Sequence, residues 1–111
     1  MERLCFVINL FPGKEAEYDK RHDEIWPELT AAINEAGFRN YNIFRRDNHV
    51  IGVAECHPDV DTALAKIGAT EVNTRWGEFF SDVISSMTDD SGDLIRYKQV
   101  WRLDETGHES L

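Results

Sequence analysis

The order in which apolar residues change their spacing constrains this 111-residue chain more than any other feature. Residues 3 to 11 set Leu4, Phe6, Ile8 and Leu10 against Cys5, Val7, Asn9 and Phe11, a pattern apolar on both faces that predicts a central strand. Pro12-Gly13 ends it. From residue 14 to about 36 the period is helical, closed by Gly37; Pro27 inside it predicts either a kink after Trp26 or a fresh helix with Pro27 in its first turn. Phe38–Arg46 and residues 50–56 are two more strand-like runs, joined at Asp47-Asn48-His49 as a hairpin. Asp59 stands where it can cap a helix running through Ile67, and Gly68 breaks that helix. A second helical stretch, from about Thr70 to Met87, carries Val72, Trp76, Phe79, Phe80, Val83 and Met87 on one stripe. After a polar loop at residues 89–93, residues 94–103 alternate Ile95, Tyr97, Trp101 and Leu103 against Arg96, Lys98 and Arg102, a strand with one apolar and one basic face.

The order is β-α-β-β-α-β, which predicts an α+β fold of ferredoxin-like arrangement, an antiparallel sheet with helices on one face. Aromatic residues on both sides of several strands leave an open face that a second sheet would cover, so a homodimer formed sheet to sheet, a dimeric α/β barrel, is expected. The length suits a single domain over residues 1–111, with about 104–111 as a flexible tail.

Composition narrows the partners. Apolar residues are 41% and charged residues 30% of the chain, ordinary for a globular protein. A net charge of −9 and a pI near 4.8 oppose binding to nucleic acid or to an anionic membrane, both of which demand a positive footprint. No apolar run is long enough for a membrane span, and the N-terminus, interrupted by Asn9, reads as a strand and not as a signal peptide, so a cytoplasmic location is expected. Cys5 and Cys56 lie in strand-like runs without Cys-x-x-Cys spacing and read as buried thiols; His49, His57 and His108 are scattered, so no metal is expected.

Chemistry concentrates around Tyr18 and His22. Four residues apart, a phenol and an imidazole share one helix face, and that face is the apolar stripe of Tyr18, Ile25, Trp26, Leu29 and Ile33. With an unperturbed pKa of about 6.5, histidine both gives and takes protons near neutrality. A core histidine with satisfied ring nitrogens accounts for the same spacing. Tyr41 and Trp76 are further candidates, with strand packing and core filling as their respective alternatives; the turn from His22 to Trp26 is a third. Asp19, Asp23, Glu24 and Glu28 fall on the opposite face and read as solvated. No phosphate loop or nucleophile elbow is present, which disfavours nucleotide cofactors and serine hydrolysis. Mixed indole, phenol and imidazole groups suit a neutral polyhydroxy ligand, the indole packing on the C–H face of a sugar ring while the others exchange hydrogen bonds with its hydroxyls.

The stretches from Tyr18 to Pro27 (Tyr-Asp-Lys-Arg-His-Asp-Glu-Ile-Trp-Pro), Asn40-Tyr-Asn-Ile-Phe44 and Thr74-Arg-Trp76, together with the opening strand, resemble the L-rhamnose mutarotase family from about Arg3 to Leu103. The resemblance implies a dimeric ferredoxin-like enzyme that interconverts the α and β anomers of a 6-deoxy-L-hexose without cofactor or metal. It implies His22 as proton donor and Tyr18, Tyr41 and Trp76 as substrate contacts, with Trp26 and Gly77 as supporting positions. Gly77 departs from the family, whose usual second tryptophan follows the first directly; L-rhamnose is the expected sugar, with L-fucose or a related sugar as the alternative. Two readings from other classes are a small dimeric-barrel monooxygenase and a non-catalytic sugar-binding module.

Overall fold

The computed structural model describes residues 1–104 and 107–110. Along them run β1 (Glu2–Leu10), α1 (Glu15–Asp23), α2 (Pro27–Ala36), β2 (Phe38–Arg46), β3 (His49–Cys56), α3 (Val60–Gly68), α4 (Glu71–Phe79), β4 (Ile84–Ser86), β5 (Arg96–Tyr97), β6 (Trp101–Asp104) and β7 (Gly107–Ser110). The main sheet is antiparallel, in the order β2-β3-β1-β4, with β5 also paired to β1. The α+β class and the antiparallel sheet are as expected.

β1 is central and buried on both faces. Leu4, Phe6, Ile8 and Leu10 enter the main core with Val50, Ala54 and Cys56 of β3, while Val7 on the other face is also closed to solvent. Phe6 stands opposite Gly52, and a Cβ there would run into the Phe6 ring, so only glycine admits that ring across the strand pair.

Pro27 begins a new helix, the second of the two outcomes its position allows. α1 stops at Asp23, the chain turns with the Ile25 N–H donating to the His22 carbonyl at 3.2 Å, and Trp26 adopts the extended conformation that a residue before proline prefers. Pro27 then occupies the first turn, where its missing donor costs nothing. Gly37 ends α2 at φ 110°, the left-handed geometry that glycine adopts without strain. Asp59 caps α3 by accepting from the Thr62 N–H at 2.7 Å.

Two expected elements differ. The helix expected to reach Met87 ends at Phe79; the Val83 N–H donates to the Phe80 carbonyl in a turn, and residues 84–86 cross to the sheet, Leu10 pairing with Ile84 and Asn9 with Ser86. Phe80 and Val83, three apart, are both fully buried, so the apolar spacing runs unbroken through the helix end and hides it. The single strand expected over residues 94–103 is divided. β5 pairs with β1 through Cys5 to Tyr97 and Phe6 to Arg96, whereas β6 pairs with β7 in a separate ladder. One edge of β1 is thus shared by β4 near its end and β5 near its middle, joined by a loop pinned where the Asp89 N–H donates to the Asp93 carbonyl at 2.7 Å. The tail expected at about 104–111 lies partly outside the described residues.

Opposite the helices, the register sets Val7, Ile51 and Phe44 in one row and Tyr97, Cys5, Val53 and Asn42 in another. Phe44 is 62% and Tyr97 57% exposed, an uncovered apolar surface. Among the described residues, no helix is long and apolar enough to cross a membrane.

Candidate active site

α1 has only nine residues and one buried side chain, Tyr18. One turn on, His22 is half-buried, its ring centroid 4.3 Å from that of Tyr18. The sequence spacing therefore does what a helix requires of it. His22 Nδ1 lies 3.1 Å from the Tyr18 carbonyl oxygen; that oxygen can only accept, so Nδ1 carries a hydrogen and the other nitrogen, Nε2, holds the lone pair of the neutral ring. Among the described residues Nε2 has no hydrogen-bond partner and no sealed side-chain nitrogen or oxygen lacks one, so Nε2 still opens to solvent. A histidine sealed in the core would need protein partners for both nitrogens, whereas here Nε2 is left for water or a ligand. The same reasoning leaves the Tyr18 hydroxyl in touch with open space although the residue is 2% exposed.

Aromatic rings enclose the imidazole. Trp76 stands edge-on at 5.5 Å and Phe80 at 5.3 Å, and Phe80 also meets Tyr18 at 5.7 Å and Trp76 at 4.7 Å. Trp26 packs edge-on against Trp76 at 4.9 Å and stacks on Phe79 at 5.5 Å. Phe79 and Phe80 were legible only as members of a helical stripe; their place beside His22 follows from where α4 ends. At Gly77 a Cβ would meet open space, so the position after Trp76 has room for a larger side chain.

Tyr41 reaches this side of the sheet through a β-bulge. Arg39 pairs with Glu55 and Asn42 with Val53, leaving Asn40 and Tyr41 opposite the single residue between. Asn40 sits at φ 48°, which asparagine tolerates better than most residues, and the Asn42 side-chain amide donates to the Asn40 carbonyl at 3.0 Å. Without the bulge, residues three apart would point to opposite faces; with it, Phe38 and Tyr41 face the same way, each ring centroid pair at 6.0 Å, with Phe6 edge-on to Tyr41.

The electrostatics separate the groups. Burial, then the negative charge of Asp19, pushes the Tyr18 phenol well above its usual range. The Tyr41 phenol is raised too, although the residue as a whole is 38% exposed: desolvation beside Phe6 and Phe38 comes first, followed by the charges that Tyr18 and Cys56 would carry. Both phenols stay protonated and act as donors at neutral pH. Burial lowers the His22 pKa below 6.5 against the opposing pulls of the Tyr18 carbonyl, Asp19 and Asp23, so the imidazole rests neutral.

Of the carboxylates expected to be solvated, two are paired: Asp19 with Arg45 and Glu28 with Arg75. Among the described residues no group of three or more His, Cys, Asp or Glu side chains is arranged to hold a metal ion. Two surface cavities, of about 460 and 880 Å³, lie beside Asp61 and Arg96 and are lined by none of the candidate residues. The site is thus a neutral imidazole with one open nitrogen beside the protonated Tyr18 phenol and an indole wall, with Tyr41 among Phe6 and Phe38 on the same side of the sheet.

A family model described as L-rhamnose mutarotase matches residues 3–103. An L-rhamnose mutarotase of Oceanobacillus iheyensis is 33% identical over 106 residues, covering 94% of this chain and all of that protein. One from Listeria monocytogenes is 32% identical over 103 residues, covering 93% and 99%. The crystal structure of an L-rhamnose mutarotase from Formosa agariphila superposes with a TM-score of 0.75 at 26% identity, covering 94% of this chain and 100% of that one. Tetracenomycin F2 cyclase of Streptomyces glaucescens, at TM-score 0.53 and 18% identity, shares the fold alone.

Proposed function

The chain belongs to the L-rhamnose mutarotase family, and on that premise we propose that it interconverts the α and β anomers of L-rhamnose, an isomerase reaction carried by His22. The observation that carries this reading is the geometry of His22, with Nδ1 engaged by its own helix, Nε2 open and Trp76 edge-on to the ring, while burial favours the neutral imidazole. Nε2 takes the proton of the anomeric hydroxyl. The resulting imidazolium gives a proton to the ring oxygen as the C1–O5 bond breaks and C1 becomes a carbonyl. Both sugar oxygens are bonded to C1, so one nitrogen can serve each in turn. Rotation about C1–C2 and the reverse steps close the other anomer, leaving the histidine neutral. General acid–base catalysis of this kind contributes roughly 10²- to 10⁴-fold.

The remaining groups hold the ring. Trp76 offers an apolar wall for the C–H face, supported by Trp26 and Phe80. Tyr18 and Tyr41, held protonated, donate to sugar hydroxyls. The open space at Gly77 leaves that side of the sugar less confined. Saturation-transfer NMR over L-rhamnose, L-fucose and their parent hexoses tests the reading: L-rhamnose is expected to exchange fastest, and a panel flat at the spontaneous rate overturns it.

The working unit we propose is a ferredoxin-like homodimer, its two sheets face to face as an α/β barrel in the cytoplasm. The strand order and the exposed Phe44 and Tyr97, which stand in separate rows of the same open face, support it. Phe44→Asp would set a charge in the interface and shift the sedimentation mass from dimer to monomer; an unchanged monomeric mass for the unsubstituted protein would contradict the assembly.

A further inference from the structure

We propose that Asp19 and Arg45 are positioning residues, whose ion pair ties the helix carrying Tyr18 and His22 to the strand carrying Tyr41 and so sets the span across which the sugar is held. The proposal rests on the mutarotase reading above. The pair is a two-pronged fork: Arg45 Nε donates to Asp19 Oδ1 at 2.8 Å and Nη2 to Oδ2 at 2.7 Å. The third nitrogen, Nη1, donates at 2.8 Å to the carbonyl of Asp47 in the β2–β3 turn, so the guanidinium is locked to its own hairpin before it reaches across. In sequence, Asp19 directly follows Tyr18, and Arg45 lies four residues beyond Tyr41, past the bulge that turns that ring inward.

α1 needs such a tether. It is short, buries only Tyr18 and, among the described residues, its backbone runs close to no other single element over any length, unlike α2, whose partners are α3, α4 and β2. Two arginines hold it. Arg21 fixes it to the end of α4, donating to the Phe79 carbonyl at 2.6 Å and to Asp82 at 3.1 Å, which sets His22 against Trp76 and Phe80. Arg45 fixes it to the sheet on the Tyr41 side. With side-chain exposures of 27% and 49%, the Arg45–Asp19 pair is too open to water to govern global stability, so its removal separates position from fold.

The test compares Arg45→Met, Asp19→Asn and the double variant by exchange NMR at several L-rhamnose concentrations, with thermal melts alongside. Each single variant should lose about tenfold in kcat, the scale of misplaced catalytic groups, with KM within about twofold and the melt within a few degrees. The double variant should be no slower than the slower single, because both remove the same link. Arg45→Lys should recover part of the rate, since an ammonium reaches the carboxylate without making the fork. Should Arg45→Met fail to fold, the double variant against Asp19→Asn supplies the same comparison without an unpaired charge. Wild-type kcat in the singles, or losses that multiply in the double, overturns the tether. Exchange at the spontaneous rate in the unsubstituted protein overturns the mutarotase reading instead.

Discussion

Phe80→Ala should be the most damaging single truncation around the site. Phe80 is 1% exposed, and its ring meets Tyr18, Phe79, His22 and Trp76 at centroid distances of 5.7, 5.6, 5.3 and 4.7 Å, so it supports the proposed catalytic group, its neighbour on the helix and the indole wall together. Truncating a buried phenylalanine costs about 3–5 kcal/mol through lost transfer energy and the cavity left behind. An unfolding entropy of about 2.1 cal/mol/K per residue converts that to a fall in Tm of roughly 13–21 °C for a chain of this size, a large part of the 5–15 kcal/mol available to a typical domain. Phe80→Leu keeps most of the volume and should cost about 1–2 kcal/mol, or roughly 4–9 °C. At a temperature where Phe80→Leu is fully folded, its anomer exchange per molecule should still fall, by about three- to tenfold, because His22 loses an edge contact that fixes its ring. Circular dichroism melts and saturation-transfer NMR on the same samples measure both. A fall below about 4 °C for Phe80→Ala, or unchanged exchange in Phe80→Leu, would refute the supporting role.

In the proposed mechanism His22 works from its neutral form, and burial lowers its pKa, so exchange should hold a plateau at neutral pH and decline with an acidic limb whose midpoint lies below 6.5, read from the pH dependence of kcat/KM. The same depression links to stability: the unfolded chain binds the proton first, so stability present above about pH 6.5 is lost as pH falls through the lower folded value, and denaturant midpoints should follow. Asn40→Val, a branched residue at φ 48°, should disturb the bulge and turn Tyr41 away, lowering exchange, whereas Asn40→Gly should preserve it; equal rates in the two would refute the bulge's role.

Local chemistry that depends on sequence neighbours was legible. The meeting of Tyr18 with His22 follows from four-residue spacing, the break at Pro27 from proline's missing donor, and the end of α2 from glycine's access to positive φ. Features decided by distant partners were not. The end of α4 at Phe79 depends on the free edge of β1, and the apolar spacing through Val83 conceals it. Division of the last strand depends on how that edge is shared. Tyr41's face required a bulge that shifts the two-residue period, for which the only local signal is the pair of asparagines flanking it. Asp19 reads as solvated on a helical wheel because its partner, Arg45, lies 26 residues away.

His22→Asn tests the central claim most directly. Asparagine keeps polarity near the Tyr18 carbonyl but cannot exchange a proton near neutral pH. With a melt within a few degrees of the unsubstituted protein, exchange of L-rhamnose anomers measured by saturation-transfer NMR at pH 7.5 should fall by about 10²-fold or more, toward the spontaneous rate. Near-normal exchange in the folded variant would contradict the assignment of His22 as the group that moves the proton.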